Sequence, residues 1–313
     1  MLFEEEQVSA AFDDLVARQI ILYGPETVVR ARDKGFDVRY GLPPPSNLDG
    51  RDTYDDVEFE FRICPALASK PATAGATNNA AFEQLPKYGP GSDLVDADPG
   101  LIVTKIHGTH LLVLNRFAVF RPQYLILTLD SFRRQTENLD ETDLEAARLV
   151  LDHLSHEHFI MFNCGNEAGC SRLHKHMQVI PCSDGFTLFP DVEGLDPDRV
   201  PFRYFIRRIE PGTDGPWDSL LPIYERLRNE ASEAWQAYTG DTLGYFPHNM
   251  MLTKRWMMVV PRRRVAAARG ATANAAGMMG MVWVTNTQQM DRWQQPGPAQ
   301  VLAELGVPTG KDM

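Results

Sequence analysis

The sequence predicts an α+β protein, an antiparallel sheet with helices packed on it. Three observations lead there. Residues 57–63, Val-Glu-Phe-Glu-Phe-Arg-Ile, alternate apolar and charged side chains, the period of a strand with one buried face. His110-Leu-Leu-Val-Leu-Asn-Arg-Phe and Tyr124-Leu-Ile-Leu-Thr-Leu are apolar runs joined by a short segment with Pro122, the pattern of adjacent antiparallel strands. Leu144, Ala147, Leu151 and Leu154 recur instead at helical spacing.

In chain order, residues 5–36 place Phe12, Leu15, Val16 and Ile20 at helical spacing among charges, which predicts one or two helices. Gly41-Leu-Pro-Pro-Pro-Ser ends that pattern. Pro65 to Gly100 is rich in Pro, Gly, Ala and Asn and reads as a long loop, of the kind that is functional or mobile in a compact domain. The helix after the paired strands opens on Thr142-Asp-Leu-Glu145, which has capping-box form. Phe159–Asn163 and His174–Ile180 read as strands around a loop from Cys164 to Arg172, and Pro181 stops the second. Beyond about residue 195 the texture changes. Tyr224, Leu227, Ala231, Trp235 and Tyr238 predict a helix over 220–238, and Asn249-Met-Met-Leu and Trp256-Met-Met-Val-Val flank Thr253-Lys-Arg255 as a hairpin. Eight of the twelve methionines lie between Met250 and Met290, which supplies deformable core packing.

A length of 313 residues suggests about two structural units with ample core. Lys plus Arg is 31 against 42 Asp plus Glu, a net charge of −11. Such a surface repels a polyanion beyond a screening length of about 8 Å, so non-specific nucleic-acid binding is not expected and any phosphate must be held locally. The hydrophobic share of 43% excludes a mostly disordered chain. Met1-Leu-Phe-Glu-Glu-Glu6 has acids where an export signal needs bases, so a cytoplasmic location is expected. No apolar run approaches the roughly 20 residues of a membrane span; Met278 to Val284 has the length of a core strand. Cys64, Cys164, Cys170 and Cys182 form no C-x-x-C, and reduced thiols are the expectation.

The chemistry concentrates in Asn163-Cys-Gly-Asn-Glu-Ala-Gly-Cys-Ser-Arg-Leu-His174-Lys-His176-Met-Gln178. Alternate side chains of a strand share a face, so His174, His176 and Gln178 are expected together, with Lys175, Met177 and Val179 behind. The glycines of the preceding loop let backbone N–H groups approach a ligand, and Asn163 and Ser171 add donors, which suits phosphate oxygens. A neutral imidazole is a good nucleophile toward activated phosphorus and can divide one displacement into two. The middle residue, His176, fits that role if a backbone carbonyl fixes its far nitrogen, with Gln178 and Ser171 donating to the non-bridging oxygens. A rival reading takes His174 and His176 as two ligands of a zinc-dependent phosphohydrolase, with His153, His156 or His158 recruited. A third takes the chain as a catalytically silent nucleotide-binding protein.

This stretch resembles the nucleotidyltransferases of the histidine-triad superfamily, in which His-x-His-x-Gln replaces the His-x-His-x-His of the hydrolases. More closely, the chain resembles the ATP adenylyltransferase (diadenosine tetraphosphate phosphorylase) family of the fungal type. Four blocks carry the likeness in order: Phe59–Leu67 with Lys70-Pro71, His110–Phe117, Asn163–Gln178, and Asn249–Arg262. The resemblance implies a histidine-triad-like core over 1–195, with 196–313 as a C-terminal adenylyltransferase region that completes the fold. It implies phosphorolysis of diadenosine tetraphosphate by orthophosphate to ATP and ADP through an adenylylated His176. His174 and Gln178 then flank the nucleophile, Asn163, Gly169 and Ser171 form the phosphate loop, and Asn115 lies near the nucleotide. Lys70, Lys87, Arg116 and Lys254 are expected to neutralise the phosphates, and Arg262-Arg-Arg264 to be a solvated run. No bound metal or tight cofactor is expected, Mg²⁺ serving only as a counter-ion to substrate. Arg116, Arg172, Cys170 and Glu167 depart from the family pattern, and Glu167 is compatible with a polyphosphate only if it points outward.

Overall fold

The computed structural model describes residues 2–24, 27–34, 37–39, 56–71, 88–95, 97–193, 195, 200–209, 219–241 and 245–309. The proline-rich break at 41–46, the middle of the long loop at 72–87, and Lys87 with it lie outside them.

The chain runs α1 (Glu5–Ala17), β1 (Leu22–Tyr23), β2 (Thr27–Lys34), β3 (Asp37–Arg39), β4 (Asp56–Ile63), β5 (Ile102–Ile106), β6 (His110–Leu114), β7 (Phe117–Ala118), β8 (Tyr124–Thr128) and α2 (Glu141–His153). It continues β9 (His158–Cys164), β10 (His176–Pro181), β11 (Phe205–Arg208), α3 (Leu221–Thr239), β12 (His248–Leu252) and β13 (Trp256–Pro261). Last come α4 (Ala275–Met278), β14 (Met281–Val284), α5 (Thr287–Gln294) and α6 (Pro298–Leu305).

Eight strands form one antiparallel sheet in the order β11-β13-β12-β9-β10-β8-β6-β5, so strands from both halves of the chain share a sheet. One face is covered by α1, α2 and α3 through Phe12, Leu15, Leu144, Val150, Leu151, Tyr224, Leu227 and Trp235. The other face is covered over β9, β12 and β13 by a second sheet, β14-β4-β2-β3, and by α4 to α6. That cover stops short of β6 and β8. There Leu111, Val113, Leu125 and Leu127 line a cleft instead of a core.

The paired strands, the 221–239 helix and the Met-rich hairpin stand where the sequence pattern put them. Three details differ. Only the first part of 5–36 is helical; Thr27-Val-Val-Arg-Ala31 is a strand because its β-branched residues find β4 as an antiparallel partner. The cap of α2 is Asp140, whose carboxylate accepts from Asp143 N while Asp143 accepts from Asp140 N, so the box lies two residues before Thr142. The alternating strand buries Phe59 and Phe61 but also Glu60, which is satisfied by Arg30, Arg62 and Ser183.

Candidate active site

Strand β10 sets the site. His176 and Gln178 lie opposite Leu127 and Leu125 of β8, and these lie opposite Leu111 and Val113 of β6, so all six share the uncovered face. The reverse face is fixed by a buried polar anchor. Lys175 Nζ donates to Asp143 Oδ2 (2.6 Å) and Asn138 O (2.7 Å), while Asp143 Oδ1 pairs with His110 Nε2 (2.9 Å), tying β10 and β6 to α2.

His176 is held at three points and left free at one. Its Nδ1 donates to His174 O at 2.9 Å, its backbone N–H donates to Gln135 Oε1 (2.8 Å), and its carbonyl accepts from Gln135 Nε2 (2.9 Å). Burial holds the imidazole below the usual histidine range despite Asp93 nearby, so the ring is neutral at pH 7. With Nδ1 carrying the proton, Nε2 presents its lone pair to the cleft.

Two clefts meet at His176. The larger, about 1170 Å³, has the four aliphatic side chains of β6 and β8 as its floor and Phe117, Phe132, Asp93 and Arg172 on its walls. The smaller, about 320 Å³, lies between the 163–178 stretch and a C-terminal wall of Val265, Thr272, Ala273, Asn274, Gly277 and Trp283. Lys70, Asn115, Phe117 and His176 border both. The apolar floor suits a nucleoside, and the small donor-lined cleft suits phosphate groups.

Each donor is aimed by a neighbour. Gln123 Nε2 donates to Gln178 Oε1 (3.1 Å), so the Gln178 carbonyl is occupied and its N–H₂ group is left for a ligand. Asn163 Oδ1 accepts from Asn249 Nδ2 and Ala275 N, both at 2.8 Å, which leaves the Asn163 amide hydrogens in the same way. The Asn115 Oδ1 accepts from Phe117 N (3.0 Å). Gly169 adopts φ +84°, and a Cβ there would stand 2.5 Å from Ala273 O, so the loop lies directly on the C-terminal wall only because it has no side chain at this point. Ser171 lines the smaller cleft beside it.

Most of the residues expected at the site therefore come together: His176, Gln178, Asn163, Gly169, Ser171, Asn115 and Lys70, with exposed Arg116 on the rim of the larger cleft. Two do not. His174 faces neither cleft: its Nε2 donates to Thr128 O (2.9 Å), and its Nδ1 accepts from Asp93 N (3.2 Å). Its strand pairing is a single bridge to Arg134, since the ladder of β10 starts only at His176. Burial lowers its pKa to about 4, and it acts as a neutral spacer whose carbonyl orients His176. With both of its nitrogens engaged, it does not pair with His176 as a metal ligand. Lys254 sits at the hairpin tip, its ammonium on Leu154 O (3.3 Å), at the far end of β9 from Asn163.

The departures from the family pattern also have places. Glu167 accepts from Tyr245 Oη (2.6 Å) and borders neither cleft, so its charge points outward. Arg172 pairs with Asp93, the residue whose N–H holds His174. Burial pushes the Cys170 thiol up to about 12, which makes it inert as a nucleophile.

Sequence reasoning missed Gln123 and Gln135, single glutamines with no local signature, and misread Arg262. That residue is not part of a solvated run: it is fully buried, and only Arg264 of the three is exposed. Its place in the block Asn249–Arg262 was the one signal available.

A neutral, singly free imidazole at the junction of a nucleoside-sized and a phosphate-sized cleft is the equipment of a nucleotidyltransferase, here on a histidine-triad-like sheet. Two family models agree: the Ap4A phosphorylase N-terminal domain matches residues 51–189, and the ATP adenylyltransferase C-terminal domain matches 198–308. The chain belongs to the ATP adenylyltransferase/Ap4A phosphorylase family of nucleotidyltransferases. Among curated proteins it is 26% identical over 271 residues to diadenosine 5',5'''-P1,P4-tetraphosphate phosphorylase 2 of Saccharomyces cerevisiae, spanning 77% of this chain and 80% of the relative. It is also 26% identical over 221 residues to Protein APA1 of the same yeast, spanning 63% and 68%. Crystal structures of yeast Ap4A phosphorylase Apa2 share the fold. The protein alone aligns with TM-score 0.74 at 21% identity over 98% and 99% of the two chains, and its complex with Ap4A with TM-score 0.71 at 21% identity over 98% and 99%.

Proposed function

We propose that this protein cleaves diadenosine tetraphosphate with orthophosphate, giving ATP and ADP, through an adenylylated His176. The observation that carries the reading is the free Nε2 of His176 where the two clefts meet, its Nδ1 held by His174 O at 2.9 Å. Nε2 attacks the α-phosphorus of one adenosine, the bond to the bridging oxygen breaks, and ATP leaves with that oxygen. Charge that builds on the non-bridging oxygens meets the N–H₂ groups of Gln178 and Asn163, the Ser171 hydroxyl and Lys70. An oxygen of orthophosphate then attacks the same phosphorus, and the P–N bond breaks. ADP forms and neutral His176 returns.

Gln178 has no useful pKa, so the cleft offers water no general base at that position, whereas orthophosphate arrives already anionic and needs only to be positioned. In this reading no tightly bound cofactor takes part, and Mg²⁺ acts as a counter-ion to the substrate. The partners are a dinucleoside polyphosphate and orthophosphate, not nucleic acid or a membrane, and the setting is the cytoplasm. Among the described residues no helix is long and apolar enough to cross a membrane, and no group of three His, Cys, Asp or Glu side chains is placed to hold a metal ion.

The test is product release with and without phosphate, resolving ATP, ADP and AMP. One equivalent of ATP followed by near-silence, relieved by phosphate with ADP formation, is the expected course. Steady AMP formation in phosphate-free buffer would assign a hydrolase instead.

A further inference from the structure

Arg262 is completely buried, and among the described residues its guanidinium meets no carboxylate. Nη1 donates to Asn249 Oδ1 (2.7 Å) and Ala168 O (3.3 Å), Nη2 to Ala273 O (2.9 Å), and Nε to Leu305 O (3.3 Å). Neutral donors could bridge these acceptors, and a buried cation without an anion is costly, so the charge itself calls for an explanation.

Two routes lead from this cation to the smaller cleft. By the first, Asn249 accepts from Arg262 and donates to Asn163, whose remaining amide hydrogens face the ligand. Hydrogen bonds in such a chain polarise one another, which makes Asn163 a stronger donor to an anion. Separately, the Asn163 backbone carbonyl accepts from Gln135, which also holds the backbone of His176. By the second, the Ala273 carbonyl is turned toward Arg262. A trans peptide sets its N–H opposite its carbonyl, so the Asn274 N–H is directed away from Arg262, and Asn274 borders the cleft.

We infer that Arg262 is a positioning residue of the phosphate site, a fixed buried counter-charge to bound phosphate that acts through the Asn163 amide and the Asn274 N–H without touching the ligand. The inference rests on the nucleotidyl-transfer reading above.

The test measures adenosine and AMP binding by calorimetry, with kcat, in the unmutated protein, Arg262→Gln and Arg262→Lys. The unmutated protein should prefer AMP. In folded Arg262→Gln that preference should fall by at least about tenfold with adenosine affinity little changed, and kcat should fall about 10²–10³-fold, as when an oxyanion donor is lost. Arg262→Lys puts there an amine that burial without an anion drives toward its neutral form, so relative to the unmutated protein its preference should fall as pH rises. A purely scaffolding Arg262 would change the two affinities in proportion or not at all in Arg262→Gln, and that result overturns the inference. If Arg262→Gln does not fold, Arg262→Lys decides against the unmutated protein: a preference lower by about tenfold or more at any pH up to about 10, with adenosine affinity little changed, supports the inference, and a preference kept within about threefold throughout overturns it. Unmutated protein that binds AMP no better than adenosine would overturn the reading of the site and this inference together. The Arg262 variants could not produce that outcome.

Discussion

The smaller cleft has two walls of different make. One is a continuous stretch from Asn163 to Gln178, with the proposed nucleophile and donors at the end of β9, on β10 and in the loop between them. The other is gathered from Val265, Thr272, Ala273, Asn274, Gly277 and Trp283, offers one indole among small side chains and backbone, and has Arg262 behind it. In the proposed reaction the first wall touches the atoms whose charge changes. The second is proposed to set shape and field. Strand alternation puts reactive groups on one face within a few residues, whereas a snug boundary and a buried charge must be drawn from wherever the chain returns.

The contrast breaks most sharply at His176. His176→Ala should lower turnover by about 10⁵-fold or more, as loss of a covalent nucleophile does, while the fold survives because the side chain makes one internal bond. Gln178→Ala on the same wall removes a donor and should cost about 10²–10³-fold. Product formation by both variants checks the assignment; more activity in His176→Ala than in Gln178→Ala would reverse the roles. Gly169→Ala probes the seam between the walls, where φ is +84° and Ala273 O lies 2.5 Å from the built Cβ. It should lower stability by about 2–3 kcal/mol by thermal or denaturant unfolding. Unchanged stability would mean that the walls do not press together.

Acid acts on two buried imidazoles, one of them behind the first wall. His174 behind one wall and His248 in the core are buried neutral, both lowered by burial to about 4 from 6.5. The unfolded chain takes up protons on both below about pH 6.5, while the folded protein does so only near pH 4, so their contribution is present above 6.5 and is lost as pH falls through that window. The loss approaches about 3 kcal/mol for each, read from unfolding midpoints against pH. Activity should persist below pH 6.5, since the His176 pKa is lowered as well. Smallest of all, Lys254→Ala should change KM and kcat by less than about twofold, because its ammonium rests on Leu154 O away from both walls. A large rise in KM for the polyphosphate would return it to the site.

What could be read before folding follows the same division. Phe59 and Phe61, the paired apolar runs, the Met250–Val260 hairpin and the His176–Gln178 pair are local patterns, and their period alone places them on strands. The wall built from one stretch was therefore legible. Arg262 was not, because three consecutive arginines look alike in sequence and only Asn249, Ala168 and Ala273 single out the first. His174 shares the spacing of His176, yet the loop at Asp93 turns it from a ligand group into a support. Thr27–Ala31 was read as helix because its partner strand lies some thirty residues on.

The central claim, that His176 carries the adenylyl group between ATP and ADP, is tested most directly by the mass of the intact protein after mixing with diadenosine tetraphosphate in phosphate-free buffer. The account predicts a gain of one adenylyl group per chain with one equivalent of ATP released, no such gain in His176→Ala, and return to the unmodified mass with ADP formation when phosphate is added. An unmodified mass throughout, with substrate consumed at the full rate, would contradict it.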